Sequence, residues 1–149
     1  GLAHRPDEFR AFVAYHDALM DKSDGLSKAE REMIVVATSA TNQCLYCVIS
    51  HGAILRIRTK NPLIADQLAT NPYKADLTDR ERAIVMFGLL VANDSASITD
   101  EDLDDLRAAG FTDEEIWDIG SIASFFAMSN RLANFSGMLP NAEFYGMAR

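Results

Sequence analysis

The sequence predicts an all-α protein, a single-domain bundle of about six to eight helices spanning residues 1–149. Ser27-Lys-Ala-Glu30, Thr78-Asp-Arg-Glu81 and Thr112-Asp-Glu-Glu115 are capping boxes, each followed by an apolar run. Apolar residues in those runs recur at helical spacing. No segment sustains the period-2 alternation of a strand. A chain of 149 residues can bury a core without disulfide or metal staples.

In chain order, Pro6 suits a first helical turn, with Asp7 and Glu8 beside the positive end of the helix dipole. Phe9, Phe12, Val13, His16 and Met20 then follow at helical spacing, before a turn at Ser23–Leu26. The Ser27 box opens a helix to about Thr41, and another runs from about Gln43 to Ile57. Asn61-Pro62 starts a short helix ending near Thr70, and Asn71-Pro72 breaks the chain. The Thr78 box opens a helix to about Asn93. Thr99 caps one ending before Gly110, and the Thr112 box opens an apolar helix over Ile116–Asn130.

The composition is that of an ordinary globular domain, 48% hydrophobic and 24% charged. The formal net charge of −8 argues against nucleic acid and anionic membrane surfaces as partners, since both require a basic face. No apolar run approaches the roughly 18 residues of a membrane span. Residues 1–10 do not resemble a signal peptide, so the expected location is cytoplasmic. Gly1 in place of Met points to a processed start or a fragment.

The two cysteines, Cys44 and Cys47, are three residues apart. In a reducing compartment that spacing signals redox chemistry or metal more often than a structural staple. With His51 they occupy i, i+3 and i+7, one face of a helix at about 100° per residue. Cys44 is expected in the first turn, where unpaired N–H groups favour a thiolate. His51, one turn beyond Cys47, is within reach as a base or hydrogen-bond partner. A helix start of this kind can close a disulfide with little backbone change. Two other readings stay open: small buried hydrophobes, or three zinc ligands lacking a fourth. His16 reads as a core histidine and His4 as solvated. Tyr46, about 160° from Cys44 on the helical wheel, reads as packing. Trp117, Phe125 and Phe126 read as core or subunit contact.

Ser27–Asn42 and Thr78–Asn93 share a capping box, a following Arg, an apolar run and a closing Asn. They are either two similar capped helices or a duplicated unit. Glu32 aligns with Ala83 and Cys44 with Ser95, so the acid and the thiols occur in one copy only.

From Glu32 to His51 the chain reads E-x11-C-L-Y-C-x3-H, within REMIVVATSATNQCLYCVISHGAIL. This resembles the active-site motif of AhpD-like alkylhydroperoxidases in the carboxymuconolactone decarboxylase superfamily. Leu77–Phe87, Ala109–Ile116, Asn130-Arg131 and Gly137–Arg149 resemble the peroxidase-related subgroup. The resemblance implies an AhpD-like helical domain whose N-terminal region is cut short. It implies a thiol peroxidase with Cys47 as peroxidatic cysteine, Cys44 as resolving cysteine, and His51 and Glu32 as proton relay. Reduction would come from a dithiol partner, a lipoyl-type or thioredoxin-type carrier, with no metal or organic cofactor. Some family members carry a histidine where this chain has Tyr46. The decarboxylase branch lacks the cysteine pair, which makes lactone decarboxylation a poor fit.

Helix-start electrostatics favour Cys44 as the more acidic thiol, whereas the family assigns first attack to Cys47. A general disulfide oxidoreductase or redox sensor on the same pair remains an alternative. So do a helical interaction module with incidental cysteines, and a non-thiol decarboxylase or isomerase using His51 and Glu32. The tail carries Phe135, Met138, Leu139, Phe144, Tyr145 and Met147, interrupted by Gly137 and Pro140. That apolar content, with the family's habit of associating, predicts a homo-oligomer in which the tail is a contact.

Overall fold

The computed structural model describes residues 2–149, and among them there are eight α-helices and no strand. They are α1 (Pro6–Met20), α2 (Lys28–Thr41), α3 (Leu45–Thr59), α4 (Ile64–Thr70), α5 (Asp79–Asp94), α6 (Asp100–Ala108), α7 (Asp113–Ser136) and α8 (Glu143–Gly146). All three predicted capping boxes form: Ser27, Thr78 and Thr112 each accept the N3 backbone N–H, and the N3 glutamate returns the bond. Thr99 forms a fourth with Asp102.

Helix α2 is the axis of the bundle. Arg31 through Ser39 are all buried, because α3, α4, α5 and α7 pack around it. Its apolar run feeds two cores. Ile34 and Val35 join Ile84, Ile119, Ile122, Phe125 and Phe126 on the α5–α7 side. Met33, Val36 and Ala37 join Leu55, Ile64, Leu68 and Val85 on the α3–α4 side. Gly88 lets α5 approach closely: a Cβ there would stand 3.1 Å from Ile34.

The start of α2 is held by a buried ion pair. The Arg31 guanidinium donates to Asp118 of α7 at 3.1 Å and to the carbonyls of Leu19 and Asp24, each at 2.9 Å. Lys22 reaches the other Asp118 oxygen at 2.8 Å. Because the polar valences are largely filled, the buried charges are tolerated, and α2 keeps a fixed register against α7.

Two helix boundaries need correction. The helix expected from Gln43 begins at Leu45, because Gln43 takes a left-handed conformation (φ 53°) in the turn that ends α2. The helix expected to end at Asn130 continues to Ser136, where Gly137 (φ 73°) provides a left-handed cap. Trp117 is 73% exposed, whereas Phe125 and Phe126 are core. On α1 only Leu19 and Met20 are buried, with Phe12 and His16 partly covered. Phe9 and Val13 are exposed. His4 is exposed, as expected, and no helix among the described residues is long and apolar enough to cross a membrane.

Candidate active site

The turn between α2 and α3 is built by backbone hydrogen bonds. Gln43 N–H donates to Ala40 O and Cys44 N–H to Ser39 O, both at 3.0 Å, the Schellman arrangement around a left-handed residue. Cys44 thus closes α2 and also serves as N-cap of α3. Its sulfur accepts the Cys47 backbone N–H at 3.3 Å. The expectation that Cys44 lies inside the first turn is corrected by one position. The physical consequence survives, because an N-cap atom meets the same unpaired N–H groups and dipole.

Both thiols are free and buried, with the sulfurs 2.6 Å apart. Ala133 of α7 and Tyr46 pack around them, so Tyr46 is a packing residue, but of this site. Burial first, and then the adjacent Cys44 sulfur, push the Cys47 thiol from 9.0 up to about 12. Side-chain hydrogen bonding from Asn130 and Ser39 acts in the opposite direction.

One turn along α3, His51 Nδ1 lies 2.7 Å from Glu32 Oε2 of α2. Both side chains are mostly covered. A carboxylate only accepts, so the bond places a proton on Nδ1, and in the neutral ring Nε2 keeps its lone pair. The His51 ring meets Phe126 edge-on, with centroids 5.0 Å apart, which fixes its plane. No hydrogen bond joins His51 to either sulfur among the described residues. All four residues singled out in the sequence, Glu32, Cys44, Cys47 and His51, meet at the α2–α3 packing seam. His16 also meets the Phe126 ring, with centroids 5.9 Å apart, and pairs with Asp17. No cluster of metal-ligating side chains occurs among the described residues.

Sequence reasoning missed Ser39, Asn42 and Asn130 as members of the site. Asn130 donates to Ser39 Oγ at 2.9 Å and accepts from Asn42 Nδ2 at 3.1 Å. The available signal was two polar residues inside the apolar runs of α2 and α7, which the helical wheel alone cannot aim.

Fold and site together define an all-helical protein with a buried vicinal dithiol beside a histidine–glutamate pair. The carboxymuconolactone decarboxylase family matches residues 6–62. An uncharacterized peroxidase-related protein with an alkylhydroperoxidase AhpD core, from Ralstonia eutropha, is 62% identical. The alignment covers 99% of this chain and 78% of that one, with a TM-score of 0.97. A peroxidase-related protein from a Silicibacter species is 40% identical over 96% of this chain and 75% of that one, TM-score 0.93. A protein of unknown function from Agrobacterium tumefaciens, provisionally assigned to AhpD antioxidant defence, is 25% identical over 94% and 95%, TM-score 0.81. No curated protein matches the chain significantly. The chain belongs to the AhpD-like group of the carboxymuconolactone decarboxylase superfamily.

Proposed function

We propose that the protein is a thiol-dependent peroxidase working through Cys47 and Cys44, with His51 and Glu32 as proton relay. The observation that carries this reading is the adjacent pair of buried sulfurs next to the His51–Glu32 bond. His51, oriented by Glu32, takes the proton of Cys47, which burial otherwise holds on the sulfur. The thiolate attacks a peroxide oxygen. An S–O bond forms as the O–O bond breaks, and the leaving alkoxide takes a proton from His51. Sulfur loses two electrons to the peroxide and becomes a sulfenic acid. Cys44 then attacks that sulfur, forming the Cys44–Cys47 disulfide and releasing water. A dithiol carrier of lipoyl or thioredoxin type supplies two electrons and two protons by exchange and leaves as a disulfide. Such regeneration fits a reducing, cytoplasmic compartment. Because both sulfurs are covered, a carrier needs local opening around Cys44, whereas a small oxidant needs less.

The test is intact mass and thiol count before and after one equivalent of an organic hydroperoxide. The expected result is loss of two hydrogens and of both titratable thiols, within one chain. Separate sulfinic acids on Cys44 and Cys47 would overturn the resolving role. Disulfide exchange with a carrier, but no consumption of peroxide, would favour the general oxidoreductase reading.

The proposed enzyme is a homo-oligomer. The tail, expected to be a contact as a whole, divides in two. Its distal part folds back onto its own chain. Buried Arg56 of α3 donates to the carbonyls of Met147 (2.8 Å) and Phe144 (2.9 Å), and Arg149 pairs with Asp66. Phe135 and Leu139, by contrast, are 81% and 73% exposed. With Phe9 and Val13 of α1 they leave apolar surface that a second copy would cover. Light scattering should show more than one chain at micromolar concentration. Phe135→Ser with Leu139→Ser should weaken association without lowering the protomer's melting temperature. A monomeric unsubstituted chain defeats the proposal.

A further inference from the structure

We infer that Ser39 and Asn130 form a buried donor pair that holds the reacting Cys47 sulfur, as thiolate and then as sulfenate. This rests on the thiol reading of the site above and adds two residues to it.

Placement comes first. Helices α2 and α3 form a hairpin joined by the turn at Asn42–Cys44. Ser39 and Glu32 are seven residues apart, two turns and about 10.5 Å, on one face of α2. Cys47 and His51 are one turn apart, about 6 Å, on α3. Glu32 meets His51 at the far end of this seam. Ser39 stands at the near end, its carbonyl accepting the Cys44 N–H. From α7, Ala133 packs on both thiols, and Asn130 lies one turn before it on the same face.

Hydrogen-bond inventory comes next. Ser50, Ser124 and Ser136 donate their hydroxyl protons to the carbonyl four residues back, at 2.6, 2.8 and 2.6 Å. That is the usual fate of a helical serine. Ser39 makes no such bond: among the described residues its oxygen only receives the Asn130 N–H, at 2.9 Å. Asn130 spends its oxygen on Asn42 and one N–H on Ser39, and its second N–H meets no oxygen or nitrogen. Both residues are fully buried. Two unspent donors with no access to water are costly unless an acceptor lies beside them, and the Cys47 sulfur is the acceptor inferred for them. Asn42 fixes the Asn130 amide, and Asn134 donates to the Asn42 carbonyl at 3.0 Å, so the pair is held in place.

Cys44 is the titratable group that acts directly on this sulfur, so the test uses the Cys44→Ser protein, in which Cys47 is the single thiol. The readout is the pH at which iodoacetamide alkylation of Cys47 reaches half its maximal rate. Donors that favour the charged form hold this midpoint down. Ser39→Ala and Asn130→Ala should each raise it by roughly half to one unit, a three- to tenfold loss of reactivity at neutral pH. Ser39→Thr, which keeps the hydroxyl, should restore it. Ser39→Ala deletes one oxygen and keeps the test usable if Asn130→Ala fails to fold. Midpoints unchanged in folded alanine variants would overturn the donor pair. Consumption of cumene hydroperoxide by the unsubstituted protein is scored separately. A shifted midpoint in a protein that consumes no peroxide supports the pair and overturns the peroxidase reading alone.

Discussion

Cys47→Ser is expected to abolish peroxide consumption, whereas Cys44→Ser should allow a single turnover and leave a sulfenic acid on Cys47 that dimedone traps. Both substitutions exchange sulfur for oxygen in a well-packed pocket, so circular dichroism and melting should change little. The two thiols nevertheless differ in environment. Cys44, as N-cap, accepts a backbone N–H, while Cys47 sits inside the helix with its thiol raised to about 12. At neutral pH an unaided Cys47 would be almost wholly protonated, and its attack would depend on a local base. That base is at hand one turn away, in the His51–Glu32 pair. The electrostatics of the helix start favour Cys44 instead. Rapid-quench mass analysis of the two variants decides between them. If Cys44→Ser were dead and Cys47→Ser turned over once, the helix start would govern reactivity and the roles would be exchanged.

Glu32→Gln should slow peroxide attack by about 10²–10⁴-fold, the usual worth of general acid–base assistance, with the fold preserved. The glutamine can still accept the Nδ1 proton but no longer stabilises an imidazolium when His51 takes the Cys47 proton. The pH profile gives a second signature. Thiolate grows with rising pH, about tenfold per unit below the thiol pKa, so a Cys47 deprived of its relay should recover steadily toward about pH 12. The unsubstituted enzyme should show a flatter rise. Stopped-flow measurement across neutral and alkaline pH checks both. Equal rates for the two proteins at every pH would reduce Glu32 to a residue that merely anchors α3 on α2.

Elements were legible in the sequence where their signals are local. The capping boxes at Ser27, Thr78 and Thr112 depend on residues three apart, and each forms as read. The break after α4 follows from Asn71-Pro72. Boundaries failed where the signal was weak or distant. Gln43 gives no sign that it will adopt a left-handed conformation, which glycine would have announced. Trp117, expected in the core or at a subunit contact, is not part of the core. Its exposure follows from where α7 turns on α2 and α5, and no residue near position 117 encodes that.

The sequence by itself determined the helical class and the one-face spacing of Cys44, Cys47 and His51. These are matters of period and spacing within single helices. Only the tertiary structure decided that Glu32 stands 2.7 Å from His51, that both sulfurs are buried, and that Ser39 and Asn130 converge there from α2 and α7. Asn130 is separated from Ser39 by most of the chain. A contact of that kind arises from how helices dock, which side-chain volumes and buried hydrogen bonds settle across the whole core rather than within any local pattern.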